Sequence, residues 1–225
     1  MNVSLLRLLQ LSSPALPVGA YSYSQGLEWA IESGAVSNET TTLSWVSDQL
    51  EWNVSRFEVP MLVRLLDAHA SGEAVRALQL NALYLASRES AELRAETLQM
   101  GHSLRRLIHE LREFSDNFLQ TIDAVEAPSF VWVWSALACE WGIDKQDALA
   151  AWMWSWAENQ VMAAIKAVPL GQAAGQRILL TIGAKIPGLT SKAIDLPDHD
   201  MSNFAPGFAI ACAQHETQYS RIFRS

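Results

Sequence analysis

Asn159 and Lys166 lie seven residues apart in an otherwise apolar run, so on a helix they fall on one face, two turns apart. Pro169, Leu170 and Gly171 then break the chain. Gln172 and Gln176, four apart, share a face of the next helix with Gly175. An ammonium group, amide side chains and a small residue on an apolar background let a second backbone come close and offer it hydrogen bonds. That backbone can belong to this domain or to another protein, and the residues alone leave both readings open. A third reading makes Asn159, Lys166, Gln172 and Gln176 the polar site of a small-molecule enzyme, but no nucleophile stands beside a base.

The remaining chemistry is sparse. No GxSxG, HExxH, GxxxxGK[ST] or GxGxxG occurs. The histidines (His69, His102, His109, His199, His215) are scattered, and the one helical pair, His102 and His109, is two turns apart and cannot converge on an ion alone. Asp198-His199-Asp200 has oxygen and imidazole donors for a divalent metal, though a solvated acidic loop is the plainer reading. Direct nickel binding would call on His199, His215 or Cys212. Cys139 reads as a small buried hydrophobe, and Trp152, Trp154 and Trp156 cannot all be buried by one helix face. The last residues are unusual for a terminus: Tyr219, Arg221, Ile222, Phe223, Arg224 and Ser225 gather the aromatic and guanidinium anchors that interfaces favour. They read as a tail, flexible on its own, that docks on another protein.

Helices must position these groups. Leu93, Met100, Leu104, Leu107, Ile108 and Leu111 give a helix over about Glu89–Glu113, with Arg88/Glu92, Arg106/Glu110 and Arg112/Asp116 as surface pairs. Leu43, Val46, Leu50 and Val54 give one over Thr41–Ser55, with Pro60 as a break or a first-turn residue after it. Others are expected at Val59–His69, Gly72–Ser87, Gln146–Val168 with a cap at Asp144–Asp147, Gln172–Ala193 and Phe208–Gln214. Phe130–Ser135 is aromatic and β-branched, as a strand would be; its continuation through Glu140, and the lack of a strand to pair with, favour helix. Leu11–Tyr21 and Pro187–Pro206 read as irregular chain, the second exposed and mobile. The expected fold is all-α: one domain over 1–225, a bundle of seven or more helices, with an N-terminal helix and Pro-rich loop over 1–21 and a flexible docking tail over 215–225.

With 225 residues, half of them hydrophobic, the chain can bury a substantial core. A net charge of -8, concentrated in residues 1–176, disfavours nucleic acid as a partner. Two cysteines without paired spacing fit a reducing cytosol, and no signal peptide is visible. The apolar run Ala148–Val168 carries Glu158, Asn159, Gln160 and Lys166, so a core helix is expected there instead of a membrane span.

Four stretches, in order along the chain, resemble the UreF family of urease accessory proteins: Leu5–Glu28, Glu96–Gly101, Val168–Gln176 and His215–Ser225. The resemblance implies an all-α nickel-insertion chaperone of the cytoplasm with no catalytic residues or cofactor of its own. It implies a homodimer that binds UreD (also called UreH), recruits the GTPase UreG and apo-urease, and modulates GTP hydrolysis. Carried onto this sequence, Tyr219, Arg221, Ile222, Phe223, Arg224 and Ser225 would dock on UreD. Lys166 and the turn Pro169, Leu170, Gly171, Gln172, Gly175 and Gln176 would lie on or near the surface that meets UreG. The loop Ser12–Glu28 would support that surface. Ile222 stands where the family often has leucine.

Overall fold

A computed structural model describes residues 3–225. The helices are α1 (Val3–Leu11), α2 (Leu27–Glu32), α3 (Glu39–Gln49), α4 (Val59–Ala70), α5 (Ala74–Ala86), α6 (Ala91–Leu111), α7 (Asp116–Asp123), α8 (Phe130–Glu140), α9 (Lys145–Ala167), α10 (Gln172–Asp195) and α11 (Pro206–His215). Among the described residues there is no strand.

The run Phe130–Ser135 is helical. Ser129 Oγ accepts from Trp132 N–H at 3.4 Å, and Thr97 Oγ1 accepts from Phe130 N–H, so the first amides are satisfied without a neighbouring strand. Val131 to Ala138 are all buried, and a helix apolar on every side has to be enclosed. Helices α4 and α6 cover α8, and α9 packs against α4 and α10. Gly101 lets α6 come this near: a Cβ there would stand 2.2 Å from the carbonyl oxygen of Pro128.

Of the two roles expected for Pro60 the structure gives the first-turn one: it stands in the first turn of α4, and the chain reaches it from α3 without a break, through a π-helical stretch, Leu50–Glu58. Pro60 cannot donate to the Arg56 carbonyl, which accepts from Ser202 N–H at 3.1 Å instead. Pro187 likewise lies inside α10, which continues to Asp195. The chain beyond it is exposed but tied down, correcting the mobile reading. Arg64 Nε donates to Asp198 at 2.8 Å, and Asn203 Nδ2 donates to the Ser87 carbonyl at 2.8 Å. Of the three expected surface pairs only Arg106–Glu110 forms. Arg88 turns inward to Glu58 at 2.8 Å, and Glu92 turns to α11 and the C-terminal segment.

No helix among the described residues is long and apolar enough to cross a membrane.

Candidate functional site

Helix α9 starts at an Asp144 cap, whose Oδ1 accepts from Gln146 N–H at 2.8 Å. Its polar line reaches back to the Pro-rich loop. Ser155 Oγ donates to the Ser12 carbonyl, Trp156 Nε1 to Gln25 Oε1 at 2.7 Å, and Asn159 Nδ2 to the Tyr23 carbonyl at 3.0 Å. Asn159 therefore holds loop to helix within the chain. Lys166, the next-to-last residue of the helix, is exposed, and its Nζ lies 5.9 Å from the Tyr21 ring and 5.8 Å from the Phe223 ring, within cation–π range. Pro169, Gly171, Gln172 and Gln176 face solvent, and Leu170 is half-buried. Gly175 is buried where α10 crosses α9; a Cβ there would stand 2.6 Å from Ile165 Cδ1. Among the described residues no hydrogen bond joins Asn159, Lys166, Gln172 and Gln176 to one another, so the expected polar cluster divides into an internal brace and an exposed face.

The C-terminal segment is docked on the chain itself, which corrects the flexible-tail expectation. Gln25 and Gly26 both adopt positive φ, 52° and 76°. This left-handed turn aims the N–H groups of Ser24 and Gln25 at the Ser225 main-chain oxygen, at 2.7 and 2.9 Å. Gly26 is also needed for closeness, because a Cβ would meet the Cys212 backbone of α11 at 3.1 Å. The Glu28 carboxylate accepts from Ile222 N–H at 2.6 Å and Phe223 N–H at 2.9 Å. Phe223 is buried with Leu27, Ala30, Val36, Ala163, Ala164 and Val168. Arg221 pairs with Glu92, and Arg224 reaches Gln99. Only the anchors left outside remain free for a partner: Tyr219 is fully exposed and Ile222 is 68 % exposed.

Glu96 lies beneath this segment. Gln25 Nε2 donates to one of its oxygens at 2.7 Å and Ser225 Oγ to the other at 2.8 Å. Burial pushes the carboxyl up to about 7, against the lowering effect of those two hydrogen bonds. Tyr23 donates to Gln99, and burial, helped by the nearby Glu96 charge, raises its phenol. In the sequence Glu92 reads as a surface partner of Arg88, and Glu28 and Glu96 stand out only as the end and the start of two stretches of the family resemblance. Glu96 was detectable, because it stands between Leu93 and Met100 on the apolar face of α6.

The candidate metal donors are dispersed. His215 is fully buried, with Nδ1 at 2.7 Å from Glu92 and Nε2 at 3.3 Å from Glu28, so the imidazole bridges the two carboxylates that hold the tail. Cys212 is buried on α11 with its thiol raised by desolvation, and burial pushes Cys139 up to about 11. Asp198 is claimed by Arg64 and Arg76, leaving exposed His199 beside Asp200. His102 contacts Arg105, and His109 contacts Asp123. Among the described residues no group of three or more His, Cys, Asp or Glu is arranged to hold a metal ion.

The model of the UreF family matches residues 36–183. The urease accessory protein UreF of Azoarcus sp. (strain BH72) is 54% identical over 223 residues, covering 98% of this chain and 95% of its own. That of Dechloromonas aromatica (strain RCB) is 53% identical over 224 residues, covering 99% and 98%. That of Pseudomonas fluorescens (strain SBW25) is 41% identical over 218 residues, covering 97% of each.

Proposed function

The chain belongs to the UreF family of urease accessory proteins, and from that membership we propose that it acts as a scaffold in urease maturation, binding UreD (UreH) and recruiting the GTPase UreG to apo-urease. One observation carries the reading. The Phe223 ring lies 5.8 Å from Lys166 Nζ, so the end of α9 and the C-terminal segment meet there. Tyr219 and Ile222 expose large apolar surface on that segment, and Lys166, Gln172 and Gln176 expose polar groups at the end of α9 and the start of α10. Apolar anchors next to a polar margin suit a protein partner. The chain contributes no chemistry of its own to nickel insertion. Its effect on GTP hydrolysis is conformational, requiring different affinity for the two states of the GTPase. It works as a homodimer in the cytoplasm, where the unpaired Cys139 and Cys212 stay reduced.

The test is co-purification of the tagged full chain with UreD and UreG, with molar mass from light scattering. Ile222→Ala and Tyr219→Ala touch only exposed groups, so each is expected to lose UreD while melting within about 1 °C of the parent. Lys166→Ala and Gln176→Ala are expected to keep UreD and lose UreG. Full recovery of both partners by all four variants would overturn the assignment of this face.

A further inference from the structure

A cavity of about 200 Å³ lies between the Pro-rich loop, α6, α8 and α9, larger than the roughly 150 Å³ that accommodates a benzene ring. Part of its wall is aromatic and fixed in place. Phe130 stacks on Trp152 and Trp134 meets Trp152 edge-on, each at 5.3 Å between ring centroids, and the Trp156 indole is pinned to Gln25. Aromatic faces carry a negative potential that attracts cations.

Five charged side chains line the cavity: Glu58, Arg88, Glu96, Glu158 and Lys166. Four of them are already answered. Glu58 and Arg88 pair at 2.8 Å, and Glu96 accepts from Gln25 and Ser225. Lys166 stands exposed at the mouth, its ammonium beside the Tyr21 ring and the ring of Phe223, which is not a lining residue. Glu158 is the exception. It is half-buried, burial raises its carboxyl, and among the described residues no donor or cation reaches it. Glu158, Met162 and Lys166 follow one another at four-residue steps along α9, so the free carboxyl lies two turns, about 12 Å of helix, from the ammonium at the mouth.

We infer that this cavity is a binding site for a small organic cation, an ammonium group carried on a hydrocarbon ring. The aromatic wall takes the ring, and the ammonium supplies the partner that Glu158 lacks. An anion of the same size would meet that same carboxyl and be turned away. The site stands on lining chemistry and does not depend on the scaffold role.

The full chain would be titrated calorimetrically at neutral pH with benzylamine, benzyl alcohol and benzoate, which carry a positive, no and a negative charge on the same ring. Benzylamine is expected to bind saturably at one site, in about the millimolar range or tighter, and about tenfold more tightly than either of the others. Glu158→Gln keeps the size of the side chain and breaks no existing pair. It is expected to leave the melting temperature unchanged and to bring benzylamine down to the level of benzyl alcohol. Met162→Trp narrows the mouth from an exposed position and is expected to weaken benzylamine about tenfold. Absence of saturable binding, benzyl alcohol or benzoate binding as tightly as benzylamine, or either variant binding benzylamine as the parent does would each overturn the site. Should Glu158→Gln fail to fold, the probe comparison and Met162→Trp decide.

Discussion

Glu96 is enclosed by protein and answered by two neutral donors, Gln25 Nε2 and Ser225 Oγ. Without a cation at hydrogen-bond distance its charged form is poorly supported, and its carboxyl is pushed up to about 7. In the unfolded chain the group returns to the ordinary carboxylate range, so between about pH 4.5 and 7 the folded state holds more protons than the unfolded one. Stability from this group is present at the acid side of that window and is lost as pH rises through the folded value. Glu96→Gln keeps an acceptor for Gln25 and an amide for Ser225 Oγ without the charge. Thermal melts from pH 5 to 8 are expected to show the variant melting above the parent at pH 8, with the gap closing toward pH 5. A constant gap across the series would mean that Glu96 is ionised throughout. The sequence carried the signal for this residue as a carboxyl on an apolar stripe, whereas its partners 71 and 129 residues away left no mark in local periodicity.

Helices were legible wherever an apolar stripe faced one core. Helix α6 was expected at Glu89–Glu113 and forms over Ala91–Leu111, and α9 was expected at Gln146–Val168 and forms over Lys145–Ala167. Pro60 fits the first turn of α4, one of its two expected roles, and the Arg56 carbonyl it leaves free takes the distant amide of Ser202 instead. Glycine gives a sharper comparison at this scale. Gly101→Ala would drive a methyl group into the backbone ahead of α8, where no side chain can rotate away, whereas a Cβ at Gly188 in α10 meets nothing within 4 Å. Gly101→Ala is expected to cost about 2–3 kcal/mol, lowering the melting temperature by roughly 5–10 °C. Gly188→Ala is expected to add about 0.5–1 kcal/mol by helix propensity and reduced unfolded-state freedom. Similar melting temperatures for the two variants would show that α6 does not approach the Pro128 carbonyl this closely.

At the scale of the whole molecule, the two ends of the sequence are closed on each other by one carboxylate. Glu28, on the short helix α2, accepts from the backbone of Ile222 and Phe223 and contacts His215 on α11, which also contacts Glu92, the partner of Arg221. Residue types at the C-terminus read as anchors for another protein, but composition cannot say that the first surface they meet is their own chain. The clamp divides those anchors, burying Phe223 and holding Ile222 outward. Replacing Glu28 and replacing Ile222 should therefore fail differently. In Glu28→Ala, two amides lose a charged acceptor worth about 1.5 kcal/mol or more each, so hydrogen exchange at Ile222 and Phe223 is expected to quicken by about tenfold or more while α8 stays protected. If the segment docks UreD as proposed, partner capture is then expected to fall because the presenting segment has let go. In Ile222→Ala the same amides keep their protection and only the contact is lost. Unchanged exchange at Phe223 in Glu28→Ala would mean that the apolar pocket alone seats the segment, and that the carboxylate serves α11 instead.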